Sequence, residues 1–151
     1  MDTFFKQKGK IVGWDDGAFE IDQEEQVPLI GVVMSGGSRV EGILRTDIEV
    51  DGLGVTEELI TTINKSKHWE ELSLIALSGV TFAGFNVVDI EELEESTGIP
   101  VMAVTRKEVD MDSFKKALMN LSEFQQRWSA VEKAGEIYEY RSGESPVYYP
   151  S

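Results

Sequence analysis

The 151-residue sequence contains no cysteine, which excludes a disulfide framework, a thiolate nucleophile and any cysteine-based zinc site. A chain without cysteines suits a reducing compartment, so we expect a cytoplasmic protein. Histidine is almost absent as well. The single one, His68, precedes Trp69 in a connection, and we expect it on the surface rather than as a general base or metal ligand.

Long apolar runs are also missing. No segment approaches the ~20 apolar residues of a membrane span, and the opening residues MDTFFKQKGK lack the apolar core and the cleavage site of a signal peptide. We therefore expect no membrane partner and no secretion.

Basic residues are scarce: 14 Lys and Arg stand against 28 Asp and Glu, which gives a net charge of −14. A protein that binds nucleic acid usually clusters Lys and Arg to neutralise phosphates, so this balance argues against such a partner. Divalent cations held by carboxylates can reverse that sign locally. Arg39, Arg45, Arg106 and Lys107 lie near predicted strand ends and could contact phosphate, but they do not make a patch.

The composition is that of a globular protein, because 41% of the residues are hydrophobic and 28% are charged. At about this length, folding buries roughly 70% of the surface that the unfolded chain exposes, so one substantial core is possible. We find no internal repeat, low-complexity segment or linker, and we predict a single domain over residues 1–151.

Three strand signals open the chain, at residues 10–14, 27–34 and 40–50. The sequence DDG at 15–17 closes the first, and SGGS at 35–38 is a turn between the second and the third. These strands should form an antiparallel meander.

Helices and strands then alternate. We predict a helix at 56–65 capped by Thr56, a strand at 72–77 that is buried on both faces, a helix at 88–97 that ends at Gly98, and a strand at 99–104. Two more helices, at 113–120 and 121–134, precede a hairpin around Ser142 and Gly143.

This α/β order of three antiparallel strands followed by alternating helices and strands is the layout of the RNase H-like fold, with its mixed sheet. No GxGxxG follows the first strand, which disfavours a Rossmann fold, and no GxxxxGK[ST] occurs, which excludes a P-loop.

Six segments resemble the endonuclease dU family, archaeal proteins similar to endonuclease V. They are IVGWDDGAF from Ile11, GVVMSGGSRVEGIL from Gly31, VDGLGVTEELI from Val50, LSGVTFAGFNVVDIEEL from Leu77, TGIPVMAVTRK from Thr97 and EKAGEIYEY from Glu132. They span most of the chain in the order that the family shows. The resemblance implies an RNase H-like, endonuclease V-like fold.

The resemblance also implies a metal site. An aspartate at the end of the first strand ligates Mg²⁺ in such nucleases, so Asp15 is the first candidate and Asp16 the second. Asp51 stands roughly where endonuclease V carries its second acid, which is a glutamate there. Without the resemblance, Asp15 and Asp16 are better explained as acids that close a strand in a solvated turn. Asp51 fits an ordinary Asp-Gly turn as well as it fits a metal site.

One position departs from the family pattern. Ser78 follows the buried strand where an aspartate is expected, and a hydroxyl ligates Mg²⁺ more weakly than a carboxylate. Two-metal catalysis should therefore be impaired or depend on another acid. Asp89 is such an alternative, although it could equally sit at a helix start.

The connection after this strand is the expected substrate-binding loop, because α/β proteins place ligands at the carboxyl ends of strands. Phe82 or Phe85 could stack on a base, although a core role is more frequent for such aromatics. The candidate binding residues are Gly79, Thr81, Gly84, Phe85 and Asn86.

The function implied is a Mg²⁺- or Mn²⁺-dependent endonuclease acting on DNA with deaminated bases, deoxyuridine or inosine, with Asp15 and Asp51 as catalytic residues. The alternatives are a non-catalytic binding or regulatory protein that lost a metal ligand at Ser78, and a metal-dependent enzyme for a small phosphorylated metabolite. The segment 147–149 could pair with the sheet edge of a second copy to give a homodimer.

Overall fold

The structure, a computed structural model, describes residues 9–17, 25–104 and 110–134, and the backbone of 137–142 and 145–150. Nine strands are described: β1 Lys10–Asp16, β2 Gln26–Ser35, β3 Arg39–Glu49, β4 Leu72–Leu77, β5 Thr81–Phe82, β6 Asn86–Val87, β7 Val101–Ala103, β8 Ile137–Ser142 and β9 Ser145–Pro150. The described helices are α1 Val55–Lys65, α2 Ile90–Thr97, α3 Met111–Met119 and α4 Phe124–Lys133, with a 3₁₀ turn at Trp69–Glu71.

The main sheet has five strands in the order β3-β2-β1-β4-β7. Strands β1, β2 and β3 are antiparallel neighbours, whereas β4 is parallel to β1 and β7 is parallel to β4. The predicted meander and the buried strand that follows it are therefore confirmed. Strand β1 lies at the centre, so the residues that follow it lie at the middle of one sheet edge.

The core fills one face of this sheet. Alternate residues of β1 and β2 point to it, so Val12, Trp14, Leu29 and Val33 are all buried. Helices α1 and α2 cover that face with their apolar stripes, whose buried members include Leu59, Ile63 and Leu93.

The start of α1 differs from the prediction. Thr56 is not its cap: the N-cap residue is Gly54, without a capping side chain, and the free N–H of Val55 donates to Oδ1 of Asn86 at 3.1 Å. A side chain far along the chain thus takes the role that a local cap usually has. The Thr56 hydroxyl instead accepts a hydrogen bond from the N–H of Asp89 at 2.9 Å.

The next helix begins at Ile90 rather than at residue 88, because the side chain of Asp89 caps it by accepting from the N–H of Glu92. Gly98 ends it in the left-handed conformation, as predicted. The connection expected as a plain loop contains a small hairpin, in which Thr81 pairs with Val87 and Phe82 with Asn86.

The C-terminal helices form a second, smaller apolar cluster with the loop before β6. Leu118 and Val131 are buried in it, and Phe85 packs against Phe114 with ring centroids 5.7 Å apart. The predicted C-terminal hairpin is present as β8 paired with β9. Gly143 lies outside the described residues. Among those described, none of the helices has the length and apolarity to cross a membrane.

Candidate acid site at the carboxyl ends of the strands

Asp15 and Ser78 lie side by side because β1 and β4 are parallel neighbours in register, with Trp14 opposite Leu77. The N–H of Ser78 donates to the carbonyl of Trp14 at 3.1 Å, which extends the pairing by one residue. The Ser78 hydroxyl then donates to Oδ1 of Asp15 at 2.8 Å. Both side chains are exposed, so this edge of the sheet is open to ligands.

Asp16 is the more buried of the two adjacent acids. Its Oδ2 accepts a hydrogen bond from the N–H of Ala83 at 2.8 Å, and its own N–H donates to Oδ1 of Asp15. Burial raises the pKa of the Asp16 carboxyl above its ordinary value of 3.8. The neighbouring Asp15 carboxyl adds to this rise in pKa, while the Ala83 N–H opposes it.

Asp51 lies in the turn after β3 with a φ of 54°, in the left-handed region. Its N–H donates to the carbonyl of Ala83 at 2.8 Å, and its Oδ1 accepts from the N–H of Phe85 at 2.9 Å. Ala83, which has a φ of 49°, therefore joins the segments of Asp16 and Asp51: its N–H binds one and its carbonyl binds the other.

Gly84 follows Ala83 with a φ of 85°, and a Cβ at this position would overlap Oδ1 of Asp51. Glycine is therefore required for the close approach of this loop to the Asp51 carboxylate. Gly79 is different, because the nearest atom to a Cβ there would be the Thr81 carbonyl oxygen, at 4.0 Å.

Two of the predicted binding side chains are engaged within the protein. Asn86 is 0% exposed: besides accepting from Val55, its Nδ2 donates to the carbonyl of Glu49 at 3.0 Å. Phe85 packs in the second apolar cluster, and Phe82 is buried in the main core. These contacts hold the loop in place from inside the protein.

Asp89 differs from the other acids because both of its carboxylate oxygens have partners within the protein. One carboxylate oxygen caps α2, and the other forms an ion pair with Nζ of Lys133 at 2.9 Å. Within the residues that the structure describes, no group of three or more His, Asp or Glu side chains could hold a metal ion. Asp15, Asp16, Asp51 and Asp89 therefore do not form one shared site.

The donors that do come together are the Asp15 and Asp16 carboxyls and the Ser78 hydroxyl. All are oxygen ligands, and Mg²⁺ commonly takes one or two carboxylates and keeps several waters. This set fits one hard divalent cation. It does not supply the carboxylates of a two-metal site.

Two of the basic residues singled out from the sequence form ion pairs within β3. Arg39 pairs with Glu41 and Arg45 with Asp47, each at 3.3 Å within β3. Arg106 and Lys107 lie outside the described residues. Arg45 pairs with Ile30 on β2, which pairs with Asp15 on β1, so Arg45 lies two strands away from that acid.

The surface position expected for His68 is wrong, because this side chain is only 7% exposed. It packs against β3 at Gly42, where a Cβ would lie 2.6 Å from Nε2 of the imidazole. Gly42 thus leaves room for the imidazole ring. The sequence around His68 does not show this contact, because Gly42 is distant from it in the chain.

Arg127 is a residue that the sequence analysis missed. Its guanidinium is buried and donates to the carbonyls of Asp51, Gly52 and Phe85, at 2.7, 3.0 and 2.7 Å. The signal was present in the sequence. Phe124, Trp128 and Val131 form an apolar stripe at positions i, i+4 and i+7, and Arg127 occupies i+3 of that stripe, where a charge is unexpected.

The strand order and the mixed pairing define an RNase H-like fold of the endonuclease V kind. Endonuclease V of Ciona intestinalis, solved in complex with a 24mer DNA containing an inosine, aligns with a TM-score of 0.53 at 14% identity. The match covers 97% of this chain and 72% of that one. This likeness shows the fold.

The family is shown by sequence. The profile of the family described as endonuclease dU matches residues 7–151, and the chain belongs to that family. A UPF0215 protein from Methanothermobacter thermautotrophicus is 45% identical over 144 residues, which cover 95% of this chain and 70% of the relative. A protein of unknown function from Archaeoglobus fulgidus has a TM-score of 0.83 at 38% identity, covering 95% of this chain and 79% of that one.

Proposed function

We propose that this chain is a metal-dependent endonuclease that acts on DNA carrying a deaminated base, deoxyuridine or inosine. The observation that carries the proposal is the Asp15–Ser78 pair at the ends of two central strands, with the Asp16 carboxyl beside it. Family membership and the endonuclease V-like fold support the same assignment. Substrates of this kind are extruded from the duplex before they are read.

Mg²⁺ or Mn²⁺ would be held by Asp15 and Asp16, with the Ser78 hydroxyl as a neutral ligand. A cation bound there supplies an activated water and neutralises charge on the phosphodiester. Burial raises the pKa of the Asp16 carboxyl above its ordinary value, so its ionised form is a stronger base than a fully solvated aspartate. Asp51 is the second candidate catalytic acid. Its Oδ1 accepts a hydrogen bond from the N–H of Phe85, and its other carboxylate oxygen takes no part in that bond.

The loop after β4 would hold the abnormal base. Gly79 leaves space above the backbone, and the Gly84 backbone already approaches the Asp51 carboxylate closely, so a nucleotide could reach the acids along this loop. Asn86 and Phe85 fix the loop from inside. A preorganised loop of this kind binds its ligand with less loss of entropy.

A second candidate function is a non-catalytic binding or regulatory protein. The observation that favours it is Ser78, which leaves the described residues without a group of three metal-binding acids. The net charge of −14 supports it as well, since strong binding to DNA usually needs clustered cations.

A cleavage assay separates these functions. Oligonucleotides with a single deoxyuridine or inosine are incubated with the protein and Mg²⁺ or Mn²⁺, with Asp15→Asn as the matched control. Metal-dependent cutting by the parent and none by the variant supports the nuclease. Binding that weakens steeply as salt rises supports the nuclease as well, because contacts with phosphate are salt-dependent. If the protein neither cuts nor binds these oligonucleotides, the nuclease proposal is wrong and the second function is favoured.

We also propose that the protein is cytoplasmic and that it forms a homodimer through the edge of β9. Analytical ultracentrifugation tests the dimer: a species of 16.9 kDa at all concentrations contradicts it.

A further inference from the structure

The buried guanidinium of Arg127 is unusual in what it contacts. The residue is 4% exposed, and a buried arginine normally pairs with a carboxylate. Within the described residues, no carboxylate lies within 4.0 Å of it, and all its hydrogen bonds go to main-chain carbonyls. The charge is therefore used to hold backbone.

The carbonyls in question belong to two loops that meet at the acid site. Nη2 donates to the carbonyl of Asp51, and Nη1 donates to those of Gly52 and Phe85. These groups lie in turns with left-handed residues, so no strand or helix partner satisfies them. Nε, at the other edge of the guanidinium, donates to the carbonyl of Ser122 at 2.8 Å, which ties the loops to the segment between α3 and α4.

The same loops bind each other around the Asp51 carboxylate. Asp51 donates its N–H to Ala83, and its Oδ1 receives the N–H of Phe85. Because Arg127 binds the carbonyls of both Asp51 and Phe85, it fixes the two residues that set the direction of this carboxylate. Removing a side chain that orients a metal ligand in this way commonly lowers metal affinity by about 10- to 100-fold.

The geometry points to Arg127 as a positioning residue for the acid site, which holds Asp51 and the Ala83–Phe85 turn in the arrangement that presents the Asp51 carboxylate. It contacts no substrate and acts through Asp51 and Phe85. This inference rests on the proposed function only where Asp16, whose carboxylate accepts from the N–H of Ala83 in this turn, is taken to bind the cation.

The test compares Arg127→Met with Val131→Ala, a change on the same helix that removes buried apolar volume but no donor to the loops. Amide hydrogen exchange is measured in both variants, with the buried α2 residue Leu93 as an internal reference. Arg127→Met should speed exchange at the Asp51 and Phe85 amides selectively, by about tenfold or more relative to Leu93. Val131→Ala should change all three amides in proportion to global stability.

Affinity for Mn²⁺, measured by calorimetric titration of the folded proteins, is the second readout. Arg127→Met should bind Mn²⁺ about tenfold more weakly than the parent, and Val131→Ala should bind it as the parent does. If Arg127→Met does not fold, Arg127→Lys replaces it, since a lysine keeps the charge but cannot satisfy the same fork of carbonyls.

Unchanged protection of the Asp51 and Phe85 amides in a folded Arg127 variant overturns the inference, and so does an equal selective loss in Val131→Ala. Faster exchange that is confined to the Asp51 and Phe85 amides but leaves the Mn²⁺ affinity unchanged also overturns it, because Arg127 would then be purely structural. If the parent binds no Mn²⁺, the proposed function fails, whereas the exchange pattern still decides whether Arg127 positions Asp51.

Discussion

The hydroxyl of Ser78 donates a hydrogen bond to Oδ1 of Asp15 across the ends of two adjacent parallel strands, at 2.8 Å. A neutral group thus stands beside the central acid at the place where the resemblance to endonuclease V leads us to expect a second aspartate. The hydroxyl holds the Asp15 carboxylate in position without adding negative charge. If the proposed function is right, this difference leaves oxygen ligands for one cation rather than for two.

Ser78→Asp should therefore raise the affinity for Mg²⁺ and Mn²⁺ and lower the melting temperature of the metal-free protein. The added carboxylate provides a ligand but repels Asp15 and Asp16 when no cation is present. Calorimetric titration and thermal melts with and without metal check both effects. Ser129→Asp, which places the same charge on an exposed position of α4, is the control. No gain in affinity means that Ser78 does not occupy a vacated ligand position.

Asp15→Asn should leave the free energy of unfolding within about 1 kcal/mol of the parent value, because the side chain is exposed and an amide oxygen can still accept from Ser78. Binding of Mn²⁺ should be lost, since the strongest ligand is gone. Urea denaturation and titration measure the two quantities. A loss of stability of several kcal/mol would make Asp15 a structural residue.

Asp16→Asn should stabilise the metal-free protein at neutral pH. The folded-state pKa of Asp16 lies above 3.8 because of burial, so the ionised carboxyl destabilises the fold once the pH has risen through that pKa. This penalty disappears as the pH falls below 3.8. We expect the variant to have a higher melting temperature than the parent at pH 7, and the same melting temperature in acid. Melting curves across this pH range decide, and a difference that grows on acidification contradicts the assignment.

Gly84→Ala should destabilise the protein by about 2 kcal/mol, because alanine is strained at positive φ and its Cβ would overlap Oδ1 of Asp51. Gly79→Ala is the matched control, since nothing crowds a Cβ there and its effect should stay below about 1 kcal/mol. Equal stabilities for the two variants in urea would show that the loop does not approach Asp51 as described.

Asn86→Ala should cost about 2–4 kcal/mol, since it leaves the N–H of Val55 and the carbonyl of Glu49 without partners inside the protein. Asn64→Ala removes one hydrogen bond to Ser96 at an exposed position and should cost less than about 1 kcal/mol. Denaturation midpoints compare them. A small effect at Asn86 together with weaker DNA binding would return this residue to the substrate site.

The sheet could be predicted from the sequence because β1 and β2 are largely apolar and end in turn residues, at DDG and SGGS, while β3 alternates in part between apolar and polar residues. The two-residue strands β5 and β6 could not, since so short a segment has no period to detect. The start of α1 was missed for another reason: its first N–H finds its acceptor on Asn86, and local capping rules do not reach so far.

The candidate site was predictable in part. The adjacency of Asp15 and Ser78 follows from placing β4 in parallel beside β1, and the buried sequence of β4 already favours a parallel arrangement. The contacts of Arg127 with Asp51 and Gly52 depend on where α4 packs, and packing is decided by the whole core rather than by neighbours in sequence. The burial of His68 against Gly42 likewise depends on how distant parts of the chain pack together.

Ala83 sets the spacing between two acidic segments with its backbone alone. Its N–H reaches Asp16 and its carbonyl reaches Asp51, and only two rotatable bonds separate those two groups. The separation between the Asp16 carboxylate and the Asp51 N–H therefore depends on the φ and ψ of Ala83, whose φ lies in the left-handed region. Glycine at this position would relieve the backbone strain but would also give the loop more conformational freedom. The separation would then vary, so a less strained loop would be a less ordered one.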